Sequence, residues 1–160
     1  MNPNTINSLG GAMDYIQELR ALVGSRPLIL PGVAILLFDQ SKSNLLMQKR
    51  TDNKRWGLTG GFMEPGESFE ETVARETFEE LGITIQNLTF ESVFSGENLY
   101  YQYPNGDEVF SVIAVYSGQC ASDDFKLDEK EVSEVRYFEI NDLPDNINPN
   151  HQIVLKQLGY

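Results

Sequence analysis

The spacing of apolar residues predicts a series of strands interrupted by a few helices. Residues 28–38 form a nearly continuous apolar run rich in Leu, Ile and Val, which is typical of a buried strand. Shorter runs predict further strands over residues 45–49, 88–94, 99–103, 109–117 and 135–140. Apolar residues at helical spacing predict short helices over residues 14–23 and 152–158. The pattern therefore combines strands with helices near both ends of the chain.

One further helix, between Ser68 and Gly82, has well-marked ends. Ser68 is followed three residues later by Glu71, which is a capping-box pattern, and Gly82 suits the position after a helix. On a helical wheel of about 100° per residue, one side predicts a packing face made of Val73, Ala74, Thr77, Phe78 and Leu81. The other side carries three acidic residues within about 100° of arc: Glu76, Glu79 and Glu80.

Strands on both sides of one central helix, with more helices near the ends, predict an α+β fold. We expect an α/β/α sandwich with a mixed β-sheet between flanking helices. Residues 1–13 are polar and rich in Gly and Asn, so a mobile N-terminal segment is expected there. Residues 14–160 are expected to form a single domain, because a chain of 160 residues with 41% apolar content can build one core.

The composition narrows the range of partners. A formal net charge of −12 argues against binding long nucleic acid, whose phosphates need Lys and Arg partners. It does not exclude a small phosphorylated metabolite, since bound metal ions can invert the local field. No apolar run is long enough to span a membrane, no signal peptide is recognisable, and a single cysteine precludes an internal disulfide. We expect a cytoplasmic protein.

The acidic side of the central helix points to metal chemistry. Like charges three and four residues apart destabilise an ordinary helix. Such a cluster is explained if hard cations lie among the carboxylates, and oxygen ligands of this kind suit Mg²⁺ or Mn²⁺. A cation held in this way is a natural partner for phosphates. Taken in isolation, the same residues could also form a solvated acidic surface.

A motif with many fixed positions surrounds this helix. Gly-x5-Glu-x7-Arg-Glu-(aliphatic)-x-Glu-Glu-x-Gly-(aliphatic) is matched by Gly61, Glu67, Arg75, Glu76, Glu79, Glu80, Gly82 and Ile83. The chain therefore resembles the Nudix (MutT-like) hydrolase family. Two positions depart from the usual pattern: Thr77 stands where an aliphatic residue is usual, and Thr59 stands where the preceding turn more often has proline.

The resemblance implies an enzyme that uses Mg²⁺ or Mn²⁺ to hydrolyse a nucleoside diphosphate linked to another moiety. It assigns Glu76, Glu79 and Glu80 as metal ligands, with the Gly60 carbonyl as a further ligand. It assigns Glu67 and Arg75 as residues that support and orient the site. An alternative for Arg75 is an ordinary helix pair with the residue four positions on, Glu79.

The general base is less closely specified by the resemblance. Glu76 is one candidate, and family members often use a carboxylate from a later loop. Glu129 and Glu131 are the favoured later acids, although each taken singly is also an ordinary surface charge. His151, the one histidine, is expected at the surface, and Cys120 is expected to be structural or incidental.

The substrate is suggested only by the position of two tyrosines. Tyr100 and Tyr101 lie 17 and 18 positions past Ile83, where relatives that hydrolyse dinucleoside polyphosphates tend to carry a tyrosine. ADP-ribose, nucleotide sugars and (deoxy)nucleoside triphosphates remain alternatives. A Nudix module that senses a nucleotide without cleaving it is a further alternative, although such modules usually lack some of the motif glutamates. Many relatives are dimers, so a homodimer is one expected assembly.

Overall fold

The computed structural model describes residues 14–160, in which eight strands form one mixed sheet. The predicted mobile segment, residues 1–13, lies outside the described residues. The elements in chain order are α1 (Tyr15–Val23), β1 (Leu28–Phe38), β2 (Asn44–Arg50), β3 (Trp56–Gly57), β4 (Thr59–Phe62), α2 (Phe69–Leu81), β5 (Ile85–Phe94), β6 (Tyr100–Gln102), β7 (Glu108–Cys120), β8 (Val132–Glu139) and α3 (Pro149–Leu158). The predicted strands and helices are present, with shifted ends. The glycine-rich stretch before α2 forms two additional short strands.

Strand β1 lies at the centre of the sheet. It pairs in parallel with β7 along its whole length and antiparallel with β2 and β4. β5 continues the sheet beyond β7, and β3 and β8 both pair with β2. A strand covered on both faces needs apolar side chains on both faces, which explains the nearly continuous apolar run of β1.

The two faces of β1 belong to two separate core clusters. Alternate residues Val33, Ile35 and Leu37 pack in a cluster that contains residues of α2. The intervening residues Ala34 and Leu36 pack in a cluster that contains residues of α3. Since successive side chains of a strand point to opposite faces, α2 and α3 lie on opposite sides of the sheet. The predicted α/β/α sandwich with a mixed sheet is confirmed.

Both ends of α2 are formed as the sequence predicts. The Ser68 hydroxyl accepts a hydrogen bond from the Glu71 backbone N–H at 3.1 Å, and the Glu71 carboxylate accepts one from the Ser68 N–H at 2.7 Å. Gly82 adopts the left-handed conformation with φ of 68°. These caps fix where the helix begins and ends, and therefore where its glutamates lie.

The predicted packing face of α2 is partly wrong. Val73, Thr77 and Leu81 are buried, but Phe78 is 63% exposed and Ala74 is also exposed. The buried arc instead extends to Thr72 and Glu80. At about 100° per residue, the centre of this buried arc lies roughly 80° closer to the glutamates than the centre of the predicted packing face. The helix is rotated toward its acidic side, and Glu80 lies within the buried arc.

We expect Ser68→Ala to lower the free energy of unfolding by about 1 kcal/mol, because it removes the N-cap of α2. Urea denaturation followed by far-UV circular dichroism measures this change. Ser25→Ala is a suitable control, since Ser25 is exposed and lies outside the helices. Equal stability of the two variants would show that the capping box contributes nothing to α2.

Candidate active site

A cavity of about 670 Å³ lies where β4, the second half of α2 and the start of α3 come together. Its volume is within the range of sites that bind small molecules. The residues of the sequence motif that line it are Gly61, Arg75, Glu76, Glu79 and Glu80, and Gly60, which precedes the motif, lines it as well. The motif therefore occupies one wall of a single concave site.

The two glycines of β4 allow α2 to approach the sheet closely. A Cβ atom on Gly61 would overlap the carboxylate of Glu76. A Cβ atom on Gly60, which has φ of 152°, would overlap the backbone of Val33 on the neighbouring strand. Glycine is therefore required at both positions by close contacts, and Gly61 is the surface on which the Glu76 carboxylate rests.

Arg75 connects three of the four motif glutamates. Its Nε and Nη2 donate to the two Glu67 oxygens at 2.5 and 3.0 Å, and its Nη1 donates to Glu76 at 2.9 Å and to Glu79 at 3.1 Å. Nη2 also donates to the Phe62 carbonyl at 2.9 Å. All five N–H groups of the guanidinium are thereby used. The simple helix pair with Glu79 is only one of these five contacts.

Glu67 is the most strongly stabilised carboxylate of the group. Besides Arg75, it accepts hydrogen bonds from the Glu64 backbone N–H at 2.9 Å and the Thr72 hydroxyl at 2.8 Å. The pairing with Arg75 is the main reason that the pKa of Glu67 falls to about 2. Glu67 is therefore ionised at neutral pH and holds Arg75 in place.

Glu80 lies in a very different environment. Its residue is only 3% exposed, and the Gly60 N–H donates to its carboxylate at 3.1 Å. Burial, and then the nearby charge of Glu76, raise the pKa of Glu80 to about 8. Burial also raises the pKa of Glu76, opposed by Arg75. The side chain of Glu79, in contrast, is 57% exposed.

A buried amide that sequence reasoning missed also contacts Glu80. Gln48 is buried, and its side chain hydrogen-bonds with the Glu80 carboxylate. The Thr59 hydroxyl donates to the Gln48 Oε1 at 3.1 Å, which leaves the Gln48 NH₂ for Glu80. Thr59 was visible in the sequence only as a departure from the family pattern, and its contact with Gln48 explains why a hydroxyl is useful there.

The donor set fits a hard divalent cation. Three carboxylates, from Glu67, Glu76 and Glu79, pair with the one guanidinium, and the Glu80 carboxylate lies beside Glu76, so the cluster has an excess of acidic groups over basic ones. Every candidate ligand, including the Gly60 carbonyl, is an oxygen, as Mg²⁺ and Mn²⁺ prefer. Within residues 14–160, no three acidic, His or Cys side chains already converge at ligating distance.

The two later acids are separated by the fold. Glu131 lines the cavity, and its charge raises the pKa of both Glu76 and Glu80. Glu129 is exposed outside the cavity wall, where its backbone carbonyl accepts a hydrogen bond from the Thr51 hydroxyl at 3.0 Å. Of the two, Glu131 is the residue that lines the cavity and acts on the charge of the cluster.

The two candidate tyrosines are also separated. Tyr101 lines the cavity, where its ring contacts that of Tyr103 edge to face with centroids 4.9 Å apart. Tyr100 is 40% exposed, and its hydroxyl donates to Glu108 at 2.7 Å. Neighbouring residues of a strand point to opposite faces, which accounts for the difference.

The expectation that His151 lies at the surface is wrong. The residue is half-buried in the first turn of α3 and lines the cavity. Its Nδ1 accepts a hydrogen bond from the Leu58 N–H at 3.0 Å, and burial lowers its pKa to about 4. No local sequence signal reports that the start of α3 docks on β3. Cys120 is half-buried, and burial raises the pKa of its thiol.

We expect stability in metal-free buffer to depend on the protonation of Glu80. An unperturbed glutamate loses its proton near pH 4.5, whereas Glu80 in the folded protein keeps it to about pH 8. The folded state thus binds more protons between these values, and the free energy of unfolding should fall as pH rises through this window. Glu80→Gln should reduce that fall, whereas the exposed control Glu79→Gln should not. Equal pH dependence of unfolding in both variants would contradict the raised pKa.

Comparison with known families agrees with the motif. The NUDIX domain family matches residues 28–158. The NAD-capped RNA hydrolase NudC of Mannheimia succiniciproducens is 31% identical over 118 residues, which are 70% of this chain and 40% of that protein. Nudix hydrolase 19 of Arabidopsis thaliana is 40% identical over 68 residues, which are 41% of this chain and 16% of that protein. The chain thus spans less than half the length of these curated relatives.

Solved structures show the same fold. A MutT NUDIX hydrolase from Burkholderia pseudomallei is 25% identical, with a TM-score of 0.68 over 82% of this chain and 98% of that one. A UDP-X diphosphatase is 19% identical, with a TM-score of 0.59 over 89% of this chain and 68% of that one. No helix within residues 14–160 combines the length and apolarity needed to cross a bilayer. The family match over most of the chain, together with the motif and the fold, establishes that this protein belongs to the Nudix family.

Proposed function

We propose that this chain is a metal-dependent pyrophosphohydrolase that cleaves a nucleoside diphosphate linked to a second group. The observation that carries the proposal is that Glu76, Glu79 and Glu80 line one cavity, where Arg75 ties Glu76 and Glu79 to Glu67. Nudix modules that only bind nucleotides usually lack some of the motif glutamates, and here all four glutamates of the motif are present. The hydrolase names of the relatives support the same conclusion.

In this proposal Glu76, Glu79, Glu80 and the Gly60 carbonyl hold Mg²⁺ or Mn²⁺. The bound cation supplies neutralisation of phosphate charge and acidification of the attacking water. Glu67 and Arg75 position the other carboxylates, since Arg75 bridges Glu67 to Glu76 and Glu79. Gln48 and the Gly60 N–H fix the orientation of Glu80.

Glu131 is our preferred general base. It faces the cavity from the loop before β8, on a different element from the metal-ligand helix. Because Glu131 is not one of the proposed metal ligands, its carboxylate is available to accept a proton from water. Glu76 remains the alternative base, because its carboxylate lies in the same cavity.

For the substrate we propose the class in which two nucleosides are joined through their phosphates. This class contains dinucleoside polyphosphates, which the tyrosine position suggested, and NAD-type dinucleotides, which the names of several relatives suggest. Tyr101 in the cavity supports a site for at least one base. The net charge of −12 disfavours a long RNA attached to such a substrate. ADP-ribose, nucleotide sugars and (deoxy)nucleoside triphosphates are the competing substrates.

The first test is turnover of a substrate panel. NAD, diadenosine polyphosphates, ADP-ribose, nucleotide sugars and nucleoside triphosphates are incubated with Mg²⁺ or Mn²⁺, and products are identified by chromatography. We expect Glu79→Gln and Glu80→Gln each to lower kcat roughly 100-fold or more while the circular dichroism spectrum is unchanged. Full activity of both variants would contradict the metal assignment.

The pair Glu131→Gln and Glu129→Gln tests the base. These residues are close in sequence, but only Glu131 lines the cavity. Loss of a general base costs roughly 10²- to 10⁴-fold, so Glu131→Gln should lower kcat by at least the smaller factor and flatten the acidic limb of the pH–rate profile. Glu129→Gln should behave as wild type. If Glu131→Gln retains both the rate and the profile, the base is another residue.

A further inference from the structure

A second polar group lines the same cavity, away from the glutamate motif. It consists of Asn150 and His151, in the first turn of α3. The start of α3 is tied to β3 by backbone hydrogen bonds, from Trp56 N–H to the Asn146 carbonyl at 2.9 Å and from Asn148 N–H to the Trp56 carbonyl at 2.8 Å. These side chains are therefore held by a rigid part of the fold.

The His151 ring has a defined hydrogen-bonding state. Its Nδ1 accepts from the Leu58 N–H at 3.0 Å, so in the neutral ring the hydrogen must be carried by Nε2. Gly57 makes room for the ring, because a Cβ atom there would lie 2.8 Å from Nδ1. The imidazole is thus fixed in orientation and presents one N–H donor.

Asn150 presents an amide on the same wall. The residue is only 9% exposed, and its backbone N–H is satisfied by the Asn148 side chain at 3.0 Å. Among the hydrogen bonds of residues 14–160, none involves the Asn150 amide or the His151 Nε2. No fully buried side-chain nitrogen or oxygen of these residues lacks a partner. Both groups must therefore open onto the cavity.

The rest of this wall fits a flat, uncharged ring better than a phosphate. Tyr101 and Tyr103 provide aromatic surfaces on which a planar ring can stack. Arg50, the cation beside them, already has two of its nitrogens on the Asp52 carboxylate at 3.0 and 2.9 Å. Amide and imidazole groups are suited to the edges of bases, which carry ring nitrogens, carbonyls and amino groups.

We propose that Asn150 and His151 read the edge of the nucleobase of the substrate, with His151 Nε2–H donating to a ring nitrogen or carbonyl and the Asn150 amide completing the contact. This inference rests on the proposed function, because it assigns the base site of the same cavity. It makes His151 and Asn150 specificity-determining residues and Gly57 a positioning residue.

The test compares ligands that differ only in the base. AMP, GMP, UMP and CMP are titrated into the protein by calorimetry in Mg²⁺ buffer, with ribose 5-phosphate as the base-free counterpart. None of them contains the phosphoanhydride bond that the proposed activity cleaves. We expect wild type to bind at least one nucleotide about 10-fold or more tightly than ribose 5-phosphate. Equal affinity for all five ligands would overturn the proposal.

The variants then assign that preference to residues. His151→Phe and Asn150→Leu should each weaken the preferred nucleotide about 5- to 10-fold, as expected for one lost hydrogen bond, and leave ribose 5-phosphate unchanged. Gly57→Ala should act in the same direction by displacing the ring, and His151→Gln should recover part of the loss because it retains an N–H donor. Gln157→Leu, an exposed residue of the same helix, should bind as wild type.

A purely structural role would give a different result. In that case the variants would lose affinity for the nucleotide and for ribose 5-phosphate by the same factor, with a lower Tm, and the proposal would be overturned. If His151→Phe does not fold, the nucleotide and ribose 5-phosphate affinities of Asn150→Leu and Gly57→Ala decide between the two roles. Base-dependent binding without turnover of the substrate panel would reject the proposed activity alone. Turnover with no effect of these variants on base preference would reject this inference alone.

Discussion

The arrangement of the site depends on one guanidinium group. Arg75 joins the loop before α2 through Glu67, strand β4 through the Phe62 carbonyl, and the helix itself through Glu76 and Glu79. Without this cation, the motif would place four carboxylates together with nothing to balance their repulsion. Arg75 supports the site through this network, and its five bonds leave it no free N–H with which to act on a substrate. It is therefore best described as the organising residue of the cavity wall.

A buried carboxylate is the feature that links stability to function. Glu80 lies within the arc of α2 that packs on the sheet, where an apolar residue would be more stable. The Gly60 N–H and the Gln48 side chain hydrogen-bond to it, and the Thr59 hydroxyl in turn donates to Gln48. The pKa of Glu80 nevertheless remains high because of burial and the charge of Glu76. A buried carboxylate at this position lowers the stability of the fold. Its presence is explained by its proposed role as a ligand for a cation.

Much of this could be predicted from the sequence, because the motif combines local signals with fixed spacing. The caps at Ser68 and Gly82, the two glycines and the acidic residues of α2 are all encoded within a short segment, and the family followed from them. The sandwich fold followed from the order of strands and helices along the chain. The rotation of α2 could not be predicted, since a helical wheel gives the relative positions of side chains and not which arc meets the sheet. This is why Phe78 was expected inside and proves to be exposed. The place of His151 was missed for a similar reason: it depends on backbone pairing between β3 and the start of α3, which are about 90 residues apart.

The central claim is that the glutamate cluster is a cation site, and direct binding tests it without any assumption about substrate. Mn²⁺ titrated into the protein at neutral pH, and followed by the loss of its free electron paramagnetic resonance signal, reports the number of bound ions and their affinity. The account predicts saturable binding to wild type that is strongly weakened in Glu80→Gln and unaffected in Glu129→Gln. No saturable binding, or equal binding to all three proteins, would contradict it.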